Sequence, residues 1–218
     1  MIITSAKDKK NLLCVLEGYR SVFLVGCGSC ATACNTGGEK EVLEMQEFLE
    51  HNGKSVTGWI IPDETCQQML CRKELRVNSR QVEDAACLLV LACGAGVQSI
   101  GSVIDDKPIF SALDSLFLGN VERIGKYAET CSMCGNCVLN KTGGICPVTR
   151  CAKGLLNGPC GGPVDGKCEV NPDNDCAWIL IYKRLKACGR LDKLDDITLP
   201  ADRQTREKPF HLDTKKRQ

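Results

Sequence analysis

Between residues 21 and 113, short apolar runs alternate with amphipathic stretches of about three turns. SVFLVG (21–26), Val56–Ile61, ACLLVLAC (86–93) and Lys107–Leu113 read as strands. Glu39–His51 carries Val42, Met45 and Leu49 on one helical face and stops at Gly53. Asp63–Arg76 reads as a second crossover helix, Asn78 or Ser79 as the cap of a short turn, and the segment from GAG (94–96) to Ile104 as a third helix. Ahead of them, Ser5 is placed to cap a helix that ends near Gly18.

Strands that alternate with helices predict a parallel sheet with right-handed crossovers. The expected fold class is α/β, a small open sheet of flavodoxin-like or Rossmann-like type over residues 1–118, in the strand order 2-1-3-4. From 119 to 199 the pattern changes. Residues 131–176 hold eight cysteines, many glycines and prolines, and almost no periodicity. An irregular cysteine-rich module without a core of its own is expected to fold around metal. Trp178–Leu191 closes it as one amphipathic C-terminal helix, and 200–218 is a polar tail ending in TKKRQ.

Composition sharpens this. Cysteine supplies 17 of 218 residues, and the hydrophobic share falls from 43% to about 35% without it, thin for a chain of this size. A net charge of +1 with no charged block argues against a nucleic-acid partner. No run of apolar residues is long enough for a membrane span or a secretory leader, so the expected compartment is the reducing cytoplasm. There, dense cysteine points to metal rather than to disulfides, and the odd count leaves one thiol over in any all-disulfide scheme.

Two cysteine constellations stand out. Cys27, Cys30 and Cys34 follow the first predicted strand with the spacing C-x2-C-x3-C, and Cys93 ends the third. In the 2-1-3-4 order these strands are neighbours, and loops leaving their carboxyl ends line the crevice where such sheets bind ligands. Four thiolates there suit a 4Fe–4S cluster, with zinc as the rarer choice. Gly26, Gly28, Gly94 and Gly96 let backbone N–H groups approach an anionic group. The same loop, Gly26 to Ala31, also fits the dinucleotide pattern G-x-G-x-x-G/A, but the acid expected about 20 residues on is replaced by Ile60-Ile61-Pro62.

The second constellation is Cys131, Cys134, Cys137, Cys146, Cys151, Cys160, Cys168 and Cys176, with Pro147 directly after Cys146. A C-x2-C-x2-C triplet curls the chain round an iron–sulfide cube, whereas zinc more often uses separated C-x2-C pairs. Eight ligands suffice for two sites, and spacing leaves open both the grouping and whether one site holds zinc. Neither His51 nor His211 falls inside the segment. Cys14, Cys66, Cys71, Cys87 and Cys188 lie on helix or strand patterns and read as core or surface thiols.

The stretch CSMCGNCVLNKTGGICPVTRCAKGLLNGPCGG (131–162), with GKCEV, NPDNDCAWILIYKRL and GRLDKL after it, resembles the methylenetetrahydrofolate reductase C-terminal family over about residues 120–195. Joined to an N-terminal C-x2-C-x3-C sheet domain, it is similar to the small iron–sulfur subunits of acetogen-type reductases. The resemblance implies an electron-transfer subunit with two or three 4Fe–4S clusters, zinc being the alternative at one site. It implies a separate TIM-barrel partner that carries FMN and reduces methylenetetrahydrofolate to methyltetrahydrofolate, and room for a further electron-donor complex. It also implies that the folate chemistry lies off this chain, in keeping with the lack of any nucleophile or acid–base constellation among two histidines. A zinc-stabilised scaffold that passes no electrons is the alternative. Leu155 and Leu156, set among glycines and prolines, either dock the partner or pack on the helix that follows.

Overall fold

The computed structural model describes residues 1–200, so the polar tail beyond Pro200 and His211 within it lie outside the described residues. The chain forms two compact units, one of residues Met1–Glu129 and one beginning at Thr130. Sequence reading puts the change of character at 118/119, but a strand runs across that point and carries the first unit on to Glu129.

The first unit is built on strands β2 (Ser21–Val25), β3 (Ser55–Ile60), β4 (Cys87–Val90) and β5 (Ile109–Ser111), all parallel, in the order β3-β2-β4-β5. This is the expected 2-1-3-4 order. Every residue of β4, and every residue of β2 after Ser21, is buried. Continuous apolar runs of this kind belong to strands covered on both faces. Truncating one of their leucines, such as Leu24 or Leu89, would cost about 2–5 kcal/mol.

Helix α3 (Glu39–His51) buries Val42, Met45 and Leu49, and its first turn is held by the Glu41 carboxylate, which accepts from the Gly38 N–H at 2.9 Å. Helices α4 (Gln68–Val77), α5 (Ser79–Glu83) and α6 (Gly94–Gly101) complete the crossovers. The second crossover helix was expected from Asp63. It starts only at Gln68, because 63–66 turn back over the sheet edge.

The amino end departs further from expectation. Ser5 caps no helix. Ile2–Ala6 is strand β1, and helix α1 (Lys9–Val15) is capped by Asp8, whose carboxylate accepts from the N–H groups of Lys10 and Asn11 at 2.9 and 3.1 Å. Strand β1 pairs antiparallel with β6 (Leu113–Arg123), and β7 (Lys126–Cys131) lies on the far side of β6. A register shift between Ile3 and Thr4 buries both and erases the alternation that would have marked the strand. This second sheet, in the order β1-β6-β7, was not expected.

Among the described residues from Thr130 on, regular structure is sparse. There is one turn of helix, α7 (Pro147–Arg150), a helix α8 (Ala177–Ala187) and a 3-10 turn at Leu191–Leu194. The apolar cluster is small: Cys176, Trp178, Ile181 and Leu185, with Ile145, Cys151, Leu155 and Ile179 packed on it. Among the described residues no helix is long and apolar enough to cross a membrane.

Candidate metal centres

The carboxyl ends of β2, β3 and β4 are laced together. The N–H of Gly26 donates to the Ile60 carbonyl at 2.8 Å, and that of Gly28 to Pro62 at 2.9 Å. The Thr65 hydroxyl donates to Gly26 at 2.7 Å. The Cys27 N–H donates to Gly37 at 2.8 Å, and Gly37 rests its bare Cα on the Leu91 carbonyl, where a methyl group would overlap the backbone. The loop bearing Cys27 is thereby pressed against the end of β4, two residues short of Cys93.

Cys93 is the N-cap residue of α6 and is buried, as is Cys27. Cys30 opens a single helical turn, α2 (Cys30–Ala33), and Cys34 closes it, so the two occupy successive turns of one face. Cys30 is half-buried. Cys34 is buried with its thiol 3.9 Å from the Ile2 carbonyl of β1. Burial opposes a thiolate at Cys27. The N–H groups of Thr65 and Ser29, the Thr65 hydroxyl and the Ala31 N–H outweigh it and bring the pKa below the ordinary thiol value.

Cys66 belongs with this edge. Read from sequence as a helix thiol, it lies on the turn after β3, exposed, with the Ser99 hydroxyl donating to its carbonyl at 3.1 Å. Burial of its sulfur, then the neighbouring thiols of Cys93 and Cys27, push its pKa up. Thiols thus follow three strand ends: Cys27, Cys30 and Cys34 after β2, Cys66 after β3 and Cys93 after β4. The sequence reading ends the strand at Pro62 but runs the helix straight on from Asp63, which draws Cys66 into it. Cys71 and Cys87 are core thiols, both pushed up to about 11, chiefly by burial. Cys14 and Cys188 are exposed.

In the second unit, Cys131 ends β7, and its thiol accepts from the Met133 N–H at 3.3 Å. Met133 (φ 52°) and Gly135 (φ 82°) take left-handed conformations that curl the triplet Cys131, Cys134, Cys137. Cys146 caps α7, and Thr149 of that turn donates its hydroxyl to the Thr130 carbonyl at 3.3 Å, drawing Cys146 toward Cys131. Cys151, Cys160, Cys168 and Cys176 line a separate cavity of about 20 Å³. The Cys168 thiol is pushed down by the N–H groups of Asn171 and Val170, with smaller help from the Ala152 N–H and the Lys153 ammonium.

Among the described residues no three Cys, His, Asp or Glu side chains stand together in metal-binding geometry. The thiols share a sheet edge, a curled loop and a cavity. The fit to metal rests on that sharing and on a donor set made of sulfur alone. The two leucines part company. Leu155 packs on α8, and its carbonyl accepts from the Trp178 indole at 3.0 Å. Leu156 lines an open apolar groove of about 320 Å³ with Trp178, Tyr182 and Leu194.

Residues 110–204 match the family described as Methylene-tetrahydrofolate reductase C terminal. The matched segment, somewhat under half of the chain, contains the second sheet's last two strands, all eight cysteines from Cys131 to Cys176, and α8. No curated protein and no solved structure matches the chain.

Proposed function

Starting from a segment, residues 110–204, that belongs to the methylene-tetrahydrofolate reductase C-terminal family, we propose that this chain is the electron-transfer subunit of such a reductase. The observation that carries the reading is that the matched segment holds nine cysteines, eight of them closely spaced from Cys131 to Cys176, and no histidine. Cys27, Cys30, Cys34 and Cys93 would hold one 4Fe–4S cluster, with Cys66 as a further thiol at the same edge. A second cluster, or two, would be held among the eight cysteines that follow. Iron–sulfur clusters supply one-electron steps with little reorganisation.

The rest is the protein's own work. Backbone N–H groups of Ser29, Ala31 and Thr65 favour a thiolate at Cys27. The Thr65 and Gly37 contacts keep the loops of β2, β3 and β4 in register. Electrons leave to a flavin on a partner subunit, where methylenetetrahydrofolate takes up two electrons and two protons to become methyltetrahydrofolate. The compartment expected for this chemistry is the cytoplasm.

A scaffold reading, with zinc throughout and no electron passage, is favoured by one observation, the cavity of about 20 Å³ among four thiols. Metal content separates the two. Anaerobically purified chain is expected to carry iron, visible cluster absorbance and no flavin, and to lose about one cluster's iron in Cys30→Ala. It should reduce no folate alone and support reduction once the flavin subunit is added. Iron-free protein, or folate reduction by the lone chain with an artificial donor, would overturn the assignment.

A further inference from the structure

Spacing alone does not divide the eight cysteines of the second unit, but their surroundings do. Cys151, Cys160, Cys168 and Cys176 reach one cavity from four different places: the end of α7, the LLNGPCGG loop, the hairpin at 164–175, and the N-cap of α8. The cavity measures about 20 Å³. A single water needs about 10–15 Å³ on this measure. As it stands the space is close to that of one water and smaller than an eight-atom iron–sulfide cube, and no three of its thiols yet stand in metal-binding geometry.

The walls are held from several sides. Cys151 and Cys176 belong to the same apolar cluster under Trp178. The N–H of Cys168 donates to Asn174 at 2.9 Å and that of Cys176 to Gly166 at 2.8 Å, so the hairpin fixes the last two thiols relative to each other. Lys153 pairs with Glu169, joining the stretch after Cys151 to the residue after Cys168. Arg150 lines the same cavity and offsets part of the net negative charge of four thiolates around a divalent ion, while the Lys153 charge is taken up by Glu169.

We propose that Cys151, Cys160, Cys168 and Cys176 together bind one zinc ion in a closed tetrahedral site that fastens the LLNGPCGG loop to α8, leaving Cys131, Cys134, Cys137 and Cys146 as a separate set. Four sulfur ligands with no open position are the donor set of a structural zinc site. The separate set has its own closure, the Thr149–Thr130 hydrogen bond, and none of its members reaches the cavity. The inference deepens the proposed function by giving one site a structural metal, but it stands on the cavity and its walls whether or not the chain passes electrons.

Zinc and iron in the anaerobically purified full chain, measured by mass spectrometry, test it. Cys160→Ser and Cys168→Ser are expected to lose about one zinc per chain and keep their iron, while Cys134→Ser keeps zinc and loses iron. Because a ligand variant can misfold, zinc-edge X-ray absorption on the unaltered chain gives the independent reading: four sulfurs at about 2.3 Å. Absence of zinc from the unaltered chain, oxygen or nitrogen in the zinc shell, or iron loss with zinc retained in Cys168→Ser overturns the site. Zinc with four sulfurs in a chain devoid of iron would uphold the site and overturn the electron-transfer reading.

Discussion

The hydroxyl of Thr65 donates to the carbonyl oxygen of Gly26 at 2.7 Å, wholly inside the protein. One residue precedes Cys27 and the other precedes Cys66, so this bond sets the spacing of two thiol-bearing turns. Thr65→Val keeps the shape and leaves the buried carbonyl without its donor. It is expected to destabilise the chain by about 1–3 kcal/mol. Urea unfolding should show a lower midpoint with an unchanged slope, and Thr65→Ser should recover most of the loss.

Metal removal should act on one unit and spare the other. Among its described residues the second unit buries only a small apolar cluster, so metal is expected to supply much of its folding free energy, on the order of 10 kcal/mol per site by analogy with zinc peptides. After chelation, limited proteolysis should cut within residues 140–170 and leave a fragment close to Met1–Glu129. Equal resistance of both units, followed by mass spectrometry of the fragments, would count against it.

Stability should fall in mild alkali. Cys71 and Cys87 ionise at about 11 in the folded chain, chiefly because they are buried, and at about 8.5 when unfolded. Their folded pKa values are raised, so the unfolded chain releases these protons first. Their contribution is fully present below about pH 8.5 and is lost as pH rises toward 11, at up to about 1.4 kcal/mol per pH unit for each thiol. Unfolding midpoints at pH 8, 9.5 and 10.5 should trace this slope, and Cys87→Ala should flatten it by about half.

The two adjacent leucines should behave differently. Leu155 is part of the α8 cluster, so Leu155→Glu is expected to disrupt the second unit and raise its protease sensitivity. Leu156 faces the groove with Tyr182 and Leu194. Leu156→Glu should leave circular dichroism and metal content unchanged and weaken association with the flavin subunit by tenfold or more. Co-purification and a titration of activity against that subunit would measure it, and an unchanged affinity would move the docking surface elsewhere.

What the sequence discloses follows burial. SVFLV and CLLV announce themselves because a strand covered on both faces has no polar position to disguise it, and with Glu39–His51 between the first of them and β3 the 2-1-3-4 order is already implied. Strands β1 and β6 are harder. Both are short of apolar residues on one side, Leu116 and Val121 face outward, and the shift at Ile3 breaks the period. At the candidate site, Cys27 and Cys93 are legible because they directly follow buried strands. Cys66 was hidden because Asp63–Arg76 carries a helical pattern that the chain, turning after Pro62, does not begin to use until Gln68. That Cys151, Cys160, Cys168 and Cys176 line one cavity depends on the hairpin and on Trp178, which no spacing rule contains.

The pairing of β1 with β6 sets an order of events as well as a shape. Ile2 meets Leu118 across the antiparallel ladder. A chain emerging from the ribosome amino end first must carry Ile2–Ala6 with its strand edge open while the whole parallel sheet, which ends at Ser111, is being made. Strand β1 precedes every other strand of its unit in the chain and is among the last of them to find a partner. During that interval an unpaired edge is available to any extended segment that passes, so the speed at which 113–118 follows 111 becomes part of how this chain avoids pairing with the wrong one.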